Sequence, residues 1–170
     1  MKRIIIFMLL ACMLASSMFI QHNKHLKDGL YLVEKVLYDT SAVTLNANQA
    51  LVHFNKEFLE NAPDGSVGLI INTTDFVPLL LEGEPLLLPQ AENKKKLQLT
   101  FSRPAAEKLE KFTAANSMRQ ATMIVNGEVL TMHKIRDTIR GGKMEITGCS
   151  DNACQRIYVM LKNHKAEKTR

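Results

Sequence analysis

The sequence predicts an α+β protein, in which an antiparallel sheet has two or three helices packed on one face and an N-terminal hydrophobic signal or anchor precedes it. Short alternating or β-branched segments recur along the chain, and a few other segments carry apolar residues at helical spacing. The pair Asn126-Gly127 also predicts a hairpin between two strands. Strands joined by hairpins and interspersed with helices are typical of this fold class.

The N-terminus has the pattern of an export signal. Lys2 and Arg3 precede an almost unbroken apolar run over residues 4–20, and paired cations before a short apolar run are typical of secreted proteins. Three alternatives remain open: cleavage that releases a soluble protein, lipidation of Cys12 in a lipobox-like segment, or an uncleaved anchor near the lower limit of about 17–25 residues for a span. We therefore expect a signal peptide or membrane anchor over residues 1–20, and a polar tether over 21–27.

The net charge of +5 does not indicate a nucleic-acid-binding protein. Residues 21–161 contain equal numbers of basic and acidic side chains, so the excess lies at the two ends of the chain. Nucleic-acid-binding domains instead concentrate Lys and Arg on a folded face. The absence of Trp and the few aromatic residues also argue against a stacking platform. We expect no nucleic-acid partner.

The first part of the body is predicted to contain two strands with a helix between them. Residues 28–39 carry apolar side chains on both faces of a strand, and residues 67–73 form a short β-branched run. Between them, five apolar residues fall on one helical stripe, with Asn46 or Asn48 as an N-cap and NAPDG at 61–65 as the end of the helix. The members of this stripe are Ala47, Ala50, Leu51, Phe54 and Phe58.

The segment FVPLLLEGEPLLLPQ, residues 76–90, is the least regular part of the body. It contains three prolines, which cannot donate to a sheet ladder, so we place it at a sheet edge or in an extended loop. Such an edge could leave an apolar patch open to a partner. We therefore consider Phe76, Leu80 and Leu87 as partner-binding residues, with the alternative that most of the leucines at 79–81 and 86–88 pack on the core, as leucines usually do. The lysines at 94–96 are predicted to form a solvated turn.

The second part of the body begins with a strand and a helix. LQLTF at 97–101 alternates as a strand does, and Ser102 then provides an N-cap with Pro104 in the first turn. Apolar residues at helical spacing continue the helix to about residue 118.

Glycine-marked turns organise the remainder. Asn126-Gly127 is predicted to turn the hairpin because both residues must accept positive φ. Gly141-Gly142 breaks the chain before a strand at 143–147. Ala153, Ile157 and Leu161 are apolar residues spaced four apart, which predicts a closing helix. Ser150 or Asp151 would cap its start.

We find no motif that predicts catalysis, a metal site or a cofactor. The histidines do not form a pair at i, i+4 beside an acid, and no nucleophile elbow or glycine-rich phosphate loop is present. We therefore expect no catalytic residue, no metal site and no cofactor. The five histidines are His22, His25, His53, His133 and His164.

The most informative side chains are two cysteines outside the N-terminal segment. Cys149 and Cys154 form an even pair in an exported domain, which favours a disulfide between the last strand and the last helix. Closing so short a loop contributes about 2 kcal/mol in the chain-entropy model, so its role would be mainly geometric. Two reduced thiols, or a redox pair that departs from the CxxC spacing, are the alternatives.

The segments LTFSRPAAEKLEKFT, ATMIVNGEVLTMHKIRDTIRGG and MEITG resemble a known family. They are similar to the head subdomain of the first periplasmic domain of SecD, part of the SecDF complex of the bacterial Sec translocon. The chain departs from the family pattern at Met132-His133, where proline is usual, and at Cys149, where a polar residue is usual. The landmarks are Asn126-Gly127, Ile135-Arg136, Gly141-Gly142 and Ile146-Thr147-Gly148.

The resemblance implies a free-standing head domain in the bacterial envelope, on the periplasmic side. The membrane portion that uses the proton gradient in SecDF is absent from the sequence, so we expect no motor. What is implied is binding of polypeptide or of a membrane-protein partner in a way that assists protein export, with Sec translocon components as candidate partners. Alternatives are a thiol oxidoreductase that uses Cys149 and Cys154, and a structural lipoprotein. We expect one domain over 28–163 and a basic disordered tail over 164–170.

Overall fold

The computed structural model describes residues 26–55, 58, 62–90, 94–147 and 153–168. Within these ranges the chain forms strands and two helices in an α+β arrangement. The strands are β1 (Gly29–Leu37), β2 (Gln49–Phe54), β3 (Gly68–Pro78), β4 (Leu86–Pro89), β5 (Lys95–Thr100), β6 (Gln120–Val125), β7 (Glu128–Lys134) and β8 (Lys143–Ile146). The helices are α1 (Arg103–Ala115) and α2 (Ala153–Lys168).

Five strands close into a barrel in the order β1-β3-β2-β7-β6. Neighbouring strands run antiparallel, except that β2 and β7 pair in parallel over two residues. The interior holds the first of two apolar clusters, which we call the barrel cluster. Its buried members are Tyr31, Val33, Val52, Phe54, Leu69, Ile71, Ile124 and Val129.

A second, three-stranded sheet has the order β4-β5-β8 and is antiparallel. Its buried face, both helices and the outer face of β1 and β6 contribute to one apolar cluster, which we call the shared cluster. Leu97 and Leu99 come from β5, Leu109 from α1, and Ile157 from α2; all four are fully buried. The shared cluster therefore joins the barrel to the second sheet.

The α+β class is confirmed, but the single sheet with helices on one face is replaced by a barrel and a smaller sheet. The strands predicted at 28–39, 67–73, 97–101 and 143–147 are present with shifted ends. The predicted two-faced character of the first strand is also present, since Leu30 and Leu32 join the shared cluster while Tyr31 and Val33 enter the barrel. Barrel closure depends on long-range pairing, which no local pattern encodes.

The helix predicted over residues 47–58 is wrong, because residues 49–54 form strand β2. Ala50, Val52 and Phe54 alternate toward the barrel interior, so the apolar residues fit a period of two as well as a helical period. Pairing with β3 and β7 satisfies the backbone and decides between the two. Phe58 is buried in the shared cluster, not beside Phe54.

Asn46 begins a turn instead of a helix. Its side-chain oxygen accepts a hydrogen bond from the amide of Asn48 at 2.9 Å, a local contact that favours turns over helices. Because there is no helix over 47–58, NAPDG does not end one; among its described residues, 64 and 65 form a turn with Gly65 at a φ of 71°.

The predicted sheet edge in the proline-containing segment is present only over residues 86–89, while residues 76–78 are the end of a barrel strand, which the sequence did not predict. Pro78 is the last residue of β3, and β4 over 86–89 is an edge strand that pairs with β5. The turn predicted at lysines 94–96 is wrong for two of the three residues, because Lys95 and Lys96 belong to strand β5. Pairing with β4 makes β5 begin at Lys95, two residues before the alternating LQLTF segment from which the strand was predicted.

Helix α1 begins where the sequence predicted, and it ends three residues before the predicted end at about residue 118. Ser102 occupies the N-cap position with a proline in the first turn, yet its hydroxyl makes no capping hydrogen bond. The chain leaves the helix through Met118, which has a φ of 65°.

The Asn126-Gly127 hairpin between β6 and β7 is confirmed, with φ values of 53° and 80°. Positive φ at both positions is what a type I′ turn requires. Gly141 and Gly142 also have positive φ, at 69° and 70°. The Gly-Gly pair thus redirects the chain into β8.

Helix α2 confirms the predicted closing helix, with Ala153, Ile157 and Leu161 all buried. It continues to Lys168, so residues 164–168 are helical where we expected the disordered tail to begin. Ala, Glu and Lys are strong helix formers, which favours this longer helix. The predicted caps at Ser150 and Asp151 lie outside the described residues.

The predictions for residues 1–25, including the signal or anchor and lipidation of Cys12, also lie outside the described residues. In the part of the chain that the structure describes, no helix combines the length and apolar character of a bilayer span.

We predict that Gly142→Ala destabilises the protein by about 3 kcal/mol or more. A methyl group there would lie 2.5 Å from Ala106 Cβ, on α1, and a backbone φ of 70° is strained for alanine. Gly141→Ala is the matched control, because it has almost the same φ and nothing within 4 Å of the added carbon. It should cost about 1–2 kcal/mol in urea unfolding. Equal losses for the two variants would contradict a role for the close contact with α1.

We also predict a specific alkaline pH dependence from Tyr31. Burial, with a further contribution from Asp28, raises the pKa of Tyr31 from 10.0 to about 12, and its hydroxyl donates to the Lys27 carbonyl at 2.6 Å. Since the folded state keeps this proton longer than the unfolded state, the contribution is complete below pH 10 and is lost as the pH rises to about 12.

Tyr31→Phe should therefore be less stable than wild type by about 1 kcal/mol at neutral pH. The difference should shrink as denaturant unfolding is repeated from pH 10 upward. A difference that stays constant over that interval would exclude this linkage.

Candidate functional site

A cavity of about 360 Å³ lies between the barrel, α1 and β8. Its floor is the outer face of the barrel, where Leu30, Ala121 and Met123 belong to the shared cluster. Met144 and Ile146 of β8 line one side, and the segment that follows β7 lines the other. The volume and the mainly apolar lining are within the range of ordinary ligand pockets, about 300–1,000 Å³.

The wall opposite β8 is formed by residues 135–139, which are held in place by hydrogen bonds. The amide of Ile135 donates to the Arg119 carbonyl at 2.8 Å, and its carbonyl accepts from Met118 at 2.7 Å. The amide of Ile139 donates to the buried hydroxyl of Thr113 on α1 at 2.9 Å. This segment has no regular secondary structure, but one hydrogen bond to α1 and two to the turn after α1 hold it in place.

The charged residues at the cavity give it a positive rim. Lys134, Arg136 and Lys143 line it together with Asp137 and Glu145. Glu145 is already engaged, because Lys96 Nζ donates to both carboxylate oxygens at 3.0 Å. The apolar interior therefore has cations in excess around its opening.

His133 lies on β7 at the same rim. The imidazole is exposed, yet the packing around it removes enough water to lower the pKa of His133 below its usual value. Desolvation disfavours the charged form, so the ring is neutral at pH 7 and adds nothing to the rim charge. Its neighbour Met132 packs against the barrel cluster, so the two residues that depart from the family pattern fit a regular strand.

None of the predicted partner-binding residues lines this cavity. Phe76 stacks on Tyr31 with ring centroids 4.8 Å apart, and Lys108 Nζ lies 4.8 Å from the Phe76 centroid. Leu80 is 49% exposed, and Leu87 is partly buried against the shared cluster. These three side chains thus belong to other surfaces of the molecule.

Sequence reasoning missed the cavity residues because they are far apart in the chain and come from several elements. Ile135 and Ile139 lie in a segment whose apolar residues follow neither a strand period nor a helix period. That irregular spacing was the one local signal that these two side chains do not belong to the buried face of a strand or helix. Met123 and Leu30 were indistinguishable from ordinary strand residues.

The cysteine pair stays a prediction, because Cys149 and Gly148 lie outside the described residues. Cys154 is fully buried at the start of α2. Its Sγ lies 3.5 Å from the Lys95 carbonyl oxygen of β5. This end of the helix is therefore in contact with the small sheet.

Over the described ranges, no group of three or more His, Cys, Asp or Glu side chains has the arrangement of a metal site. His53 is exposed, with Nδ1 3.3 Å from the Val67 carbonyl oxygen. The cavity itself offers apolar surface and a charged rim, which suit binding better than chemistry.

Comparison with known proteins identifies a matching domain. Residues 84–164 match the family model described as SecDF, P1 head subdomain. Protein translocase subunit SecD of Acidaminococcus fermentans is 32% identical over 66 residues, which are 38% of this chain and 16% of that protein. Protein translocase subunit SecDF of Thermus thermophilus is 30% identical over 118 residues, which are 65% of this chain and 15% of that protein. The chain thus spans less than a fifth of these two relatives.

Solved SecDF structures also resemble the chain. One, described as a membrane component that enhances protein export, has 19% identity and a TM-score of 0.47, and the likeness covers 81% of this chain and 62% of that one. SecDF from Thermus thermophilus, described as a translocon-associated membrane protein, has 15% identity and a TM-score of 0.43 over 91% of this chain and 33% of that one.

The matched range contains β4 to β8, α1 and most of α2, and therefore both walls of the cavity. It also contains the hairpin, the Gly-Gly pair and the 135–139 segment on which the sequence resemblance rested. Residues 84–164 of this chain are a SecD head-like domain, related to subunits of the protein translocase.

Proposed function

We propose that this protein is a non-catalytic envelope protein whose SecD head-like domain binds polypeptide, and that this binding assists protein export. The observation that carries the proposal is the apolar cavity with a positive rim, formed almost wholly by residues of the matched domain. An apolar cavity open at the surface suits side chains of a chain that has not yet folded, because those side chains lack a core of their own.

The proposed location is the periplasmic side of a bacterial envelope. Two features support it: the relatives are bacterial translocase subunits, and the N-terminal sequence has two cations before an apolar run.

We further infer that residues 28–163 fold as one unit. The shared cluster contains Leu30 and Leu32 from the N-terminal part of the chain together with Leu97, Leu109 and others from the matched domain. Removal of β1 would open the barrel and expose this cluster, so the head-like domain here depends on residues that precede the family match.

A membrane-protein partner, such as a translocon component, is the second candidate, and a different surface favours it. Leu80 and Leu86 are 49% and 51% exposed near the outer edge of the small sheet. Among the described residues, β4 pairs with β5 alone, and exposed leucines beside such an edge are a suitable contact for a protein partner. The thiol oxidoreductase alternative lacks comparable support, since Cys154 is fully buried and reactive thiols are usually accessible.

In-cell photocrosslinking separates these surfaces. Probes are placed one at a time at Arg136 on the cavity rim, at Leu80 and Leu87 on the outer edge, and at Glu128. Glu128, which accepts a hydrogen bond from Asn55 at the tip of the hairpin, serves as the control outside the cavity. We expect Arg136 to yield adducts with many exported chains and Glu128 to yield few, as identified by mass spectrometry.

A discrete adduct with one membrane protein from Leu80 would support the second candidate. An Arg136 probe that gives no polypeptide adduct, in cells with active export, would contradict the proposed function.

Aspartate substitutions show whether each of the two edge leucines, Leu80 and Leu87, contacts a partner or packs in the core. Leu87→Asp should lower the free energy of unfolding by about 1–3 kcal/mol, because the side chain packs on the shared cluster. Leu80→Asp should change it by less than about 0.5 kcal/mol, because that side chain is half exposed. Loss of partner capture by Leu80→Asp with an unchanged melting curve would assign Leu80 to a contact surface, and an equal destabilisation by both variants would assign it to the core.

A further inference from the structure

Strand β8 has a free edge that faces the cavity. In the order β4-β5-β8 it is paired with β5 on one side, and within the described residues no strand pairs with its other side. All four β8 residues line the cavity, including Lys143 and Glu145, whose side chains point away from the core, and Met144 and Ile146, whose side chains point into it. A cavity lined by consecutive residues of both kinds borders the edge of a strand and not only one of its faces.

The hydrogen-bond pattern shows which backbone groups this edge presents. The amide of Phe101 donates to the Gly142 carbonyl at 2.9 Å, which makes Phe101 and Gly142 a hydrogen-bonded pair. Hydrogen-bonded and non-hydrogen-bonded pairs alternate along an antiparallel ladder. With the observed register, Met144 and Ile146 bond to β5, so the amides and carbonyls of Lys143 and Glu145 point outward along the cavity side.

The opposite edge of the same sheet is less suited to pairing. Gln90 donates to the Lys94 carbonyl at 2.8 Å, so by the same alternation Leu87 and Pro89 present their backbone groups outward from β4. Proline has no amide hydrogen, which leaves Leu87 as the one donor of β4 on that side. Edge prolines of this kind discourage strand addition, whereas β8 has none.

We propose that β8 binds an extended polypeptide segment by antiparallel strand addition, with alternate apolar side chains of that segment entering the cavity. The proposal rests on the proposed function and specifies how the polypeptide is held. Main-chain hydrogen bonds to Lys143 and Glu145 give affinity without regard to sequence, and the cavity selects for apolar side chains at every second position. An unfolded segment presents such a strand along its whole length, whereas folded proteins usually protect the edges of their sheets.

The geometry also sets the preferred residues of the bound segment. Opposed residues of an antiparallel pair point to the same face, so residues opposite Met144 and Ile146 face the cavity and those opposite Lys143 and Glu145 face solvent. The positive rim of Lys134, Arg136 and Lys143 disfavours lysine and arginine in the segment. The best ligand is therefore an alternating apolar and polar strand without basic residues.

The test uses a fluorescent synthetic peptide of alternating valine and serine, about eight residues long to match an ordinary strand. Its binding to the full chain in detergent micelles is followed by fluorescence anisotropy. Glu145→Pro removes an outward amide without breaking the β5 ladder, and Glu145→Ala is the matched control that loses the same contact with Lys96. We expect Glu145→Ala to bind within about twofold of wild type and Glu145→Pro to bind at least about tenfold more weakly.

Two methylated peptides test the same contact from the ligand side, whatever the effect of proline on folding. N-methylation of the serine amides, which face β8 in the bound strand, should abolish binding to the wild-type protein. N-methylation of the valine amides, which face away, should leave binding nearly unchanged. Equal affinities of the two methylated peptides, or of the two Glu145 variants, would overturn strand addition at β8.

These results are distinguishable from failure of the proposed function. If the peptide binds equally well despite all of these changes, and Arg136 still yields crosslinks, the protein binds polypeptide but not through the β8 edge. Absence of both peptide binding and Arg136 crosslinks would overturn the two proposals together.

Discussion

The fold depends on strands β1 and β6 being apolar on both faces. In β1, Leu30 and Leu32 point to the shared cluster while Tyr31 and Val33 point into the barrel. In β6, Met123 and Ile124 divide in the same way. A strand buried on both sides must lie between two cores, and these two strands consequently hold the barrel and the small sheet together.

This arrangement also creates the cavity. Part of the outer barrel face, at Leu30, Ala121 and Met123, lines the cavity together with residues of β8 and α1. The floor is rigid because its residues belong to a closed barrel, and the far wall is rigid because Thr113 and the turn after α1 fix residues 135–139. The site therefore combines preformed apolar surface with one short strand, β8, which pairs on one side only within the described part of the chain.

For a polypeptide binder these two components have different roles. Backbone pairing is common to all sequences, whereas an apolar cavity distinguishes segments that normally become part of a core. A domain built in this way would hold many different chains and release them when folding hides the strand.

The sequence by itself determined the elements whose signals are local. The Asn126-Gly127 hairpin, the Gly141-Gly142 break, helix α1 after Ser102 and the buried stripe of α2 were all predicted, because turn torsions and helical periodicity act between near neighbours. The family resemblance rested on these same landmarks and was confirmed over residues 84–164.

The tertiary structure alone decided the barrel, the strand at 49–54 and the cavity. Ala50, Val52 and Phe54 fit a helix or a strand equally well by spacing, and pairing with β3 chose the strand. The cavity joins Leu30, Met123, Ile135 and Met144, whose distance in sequence hides their proximity. Local patterns report what each residue prefers beside its neighbours, but closure of a sheet and the position of its free edge depend on contacts between segments far apart in the chain.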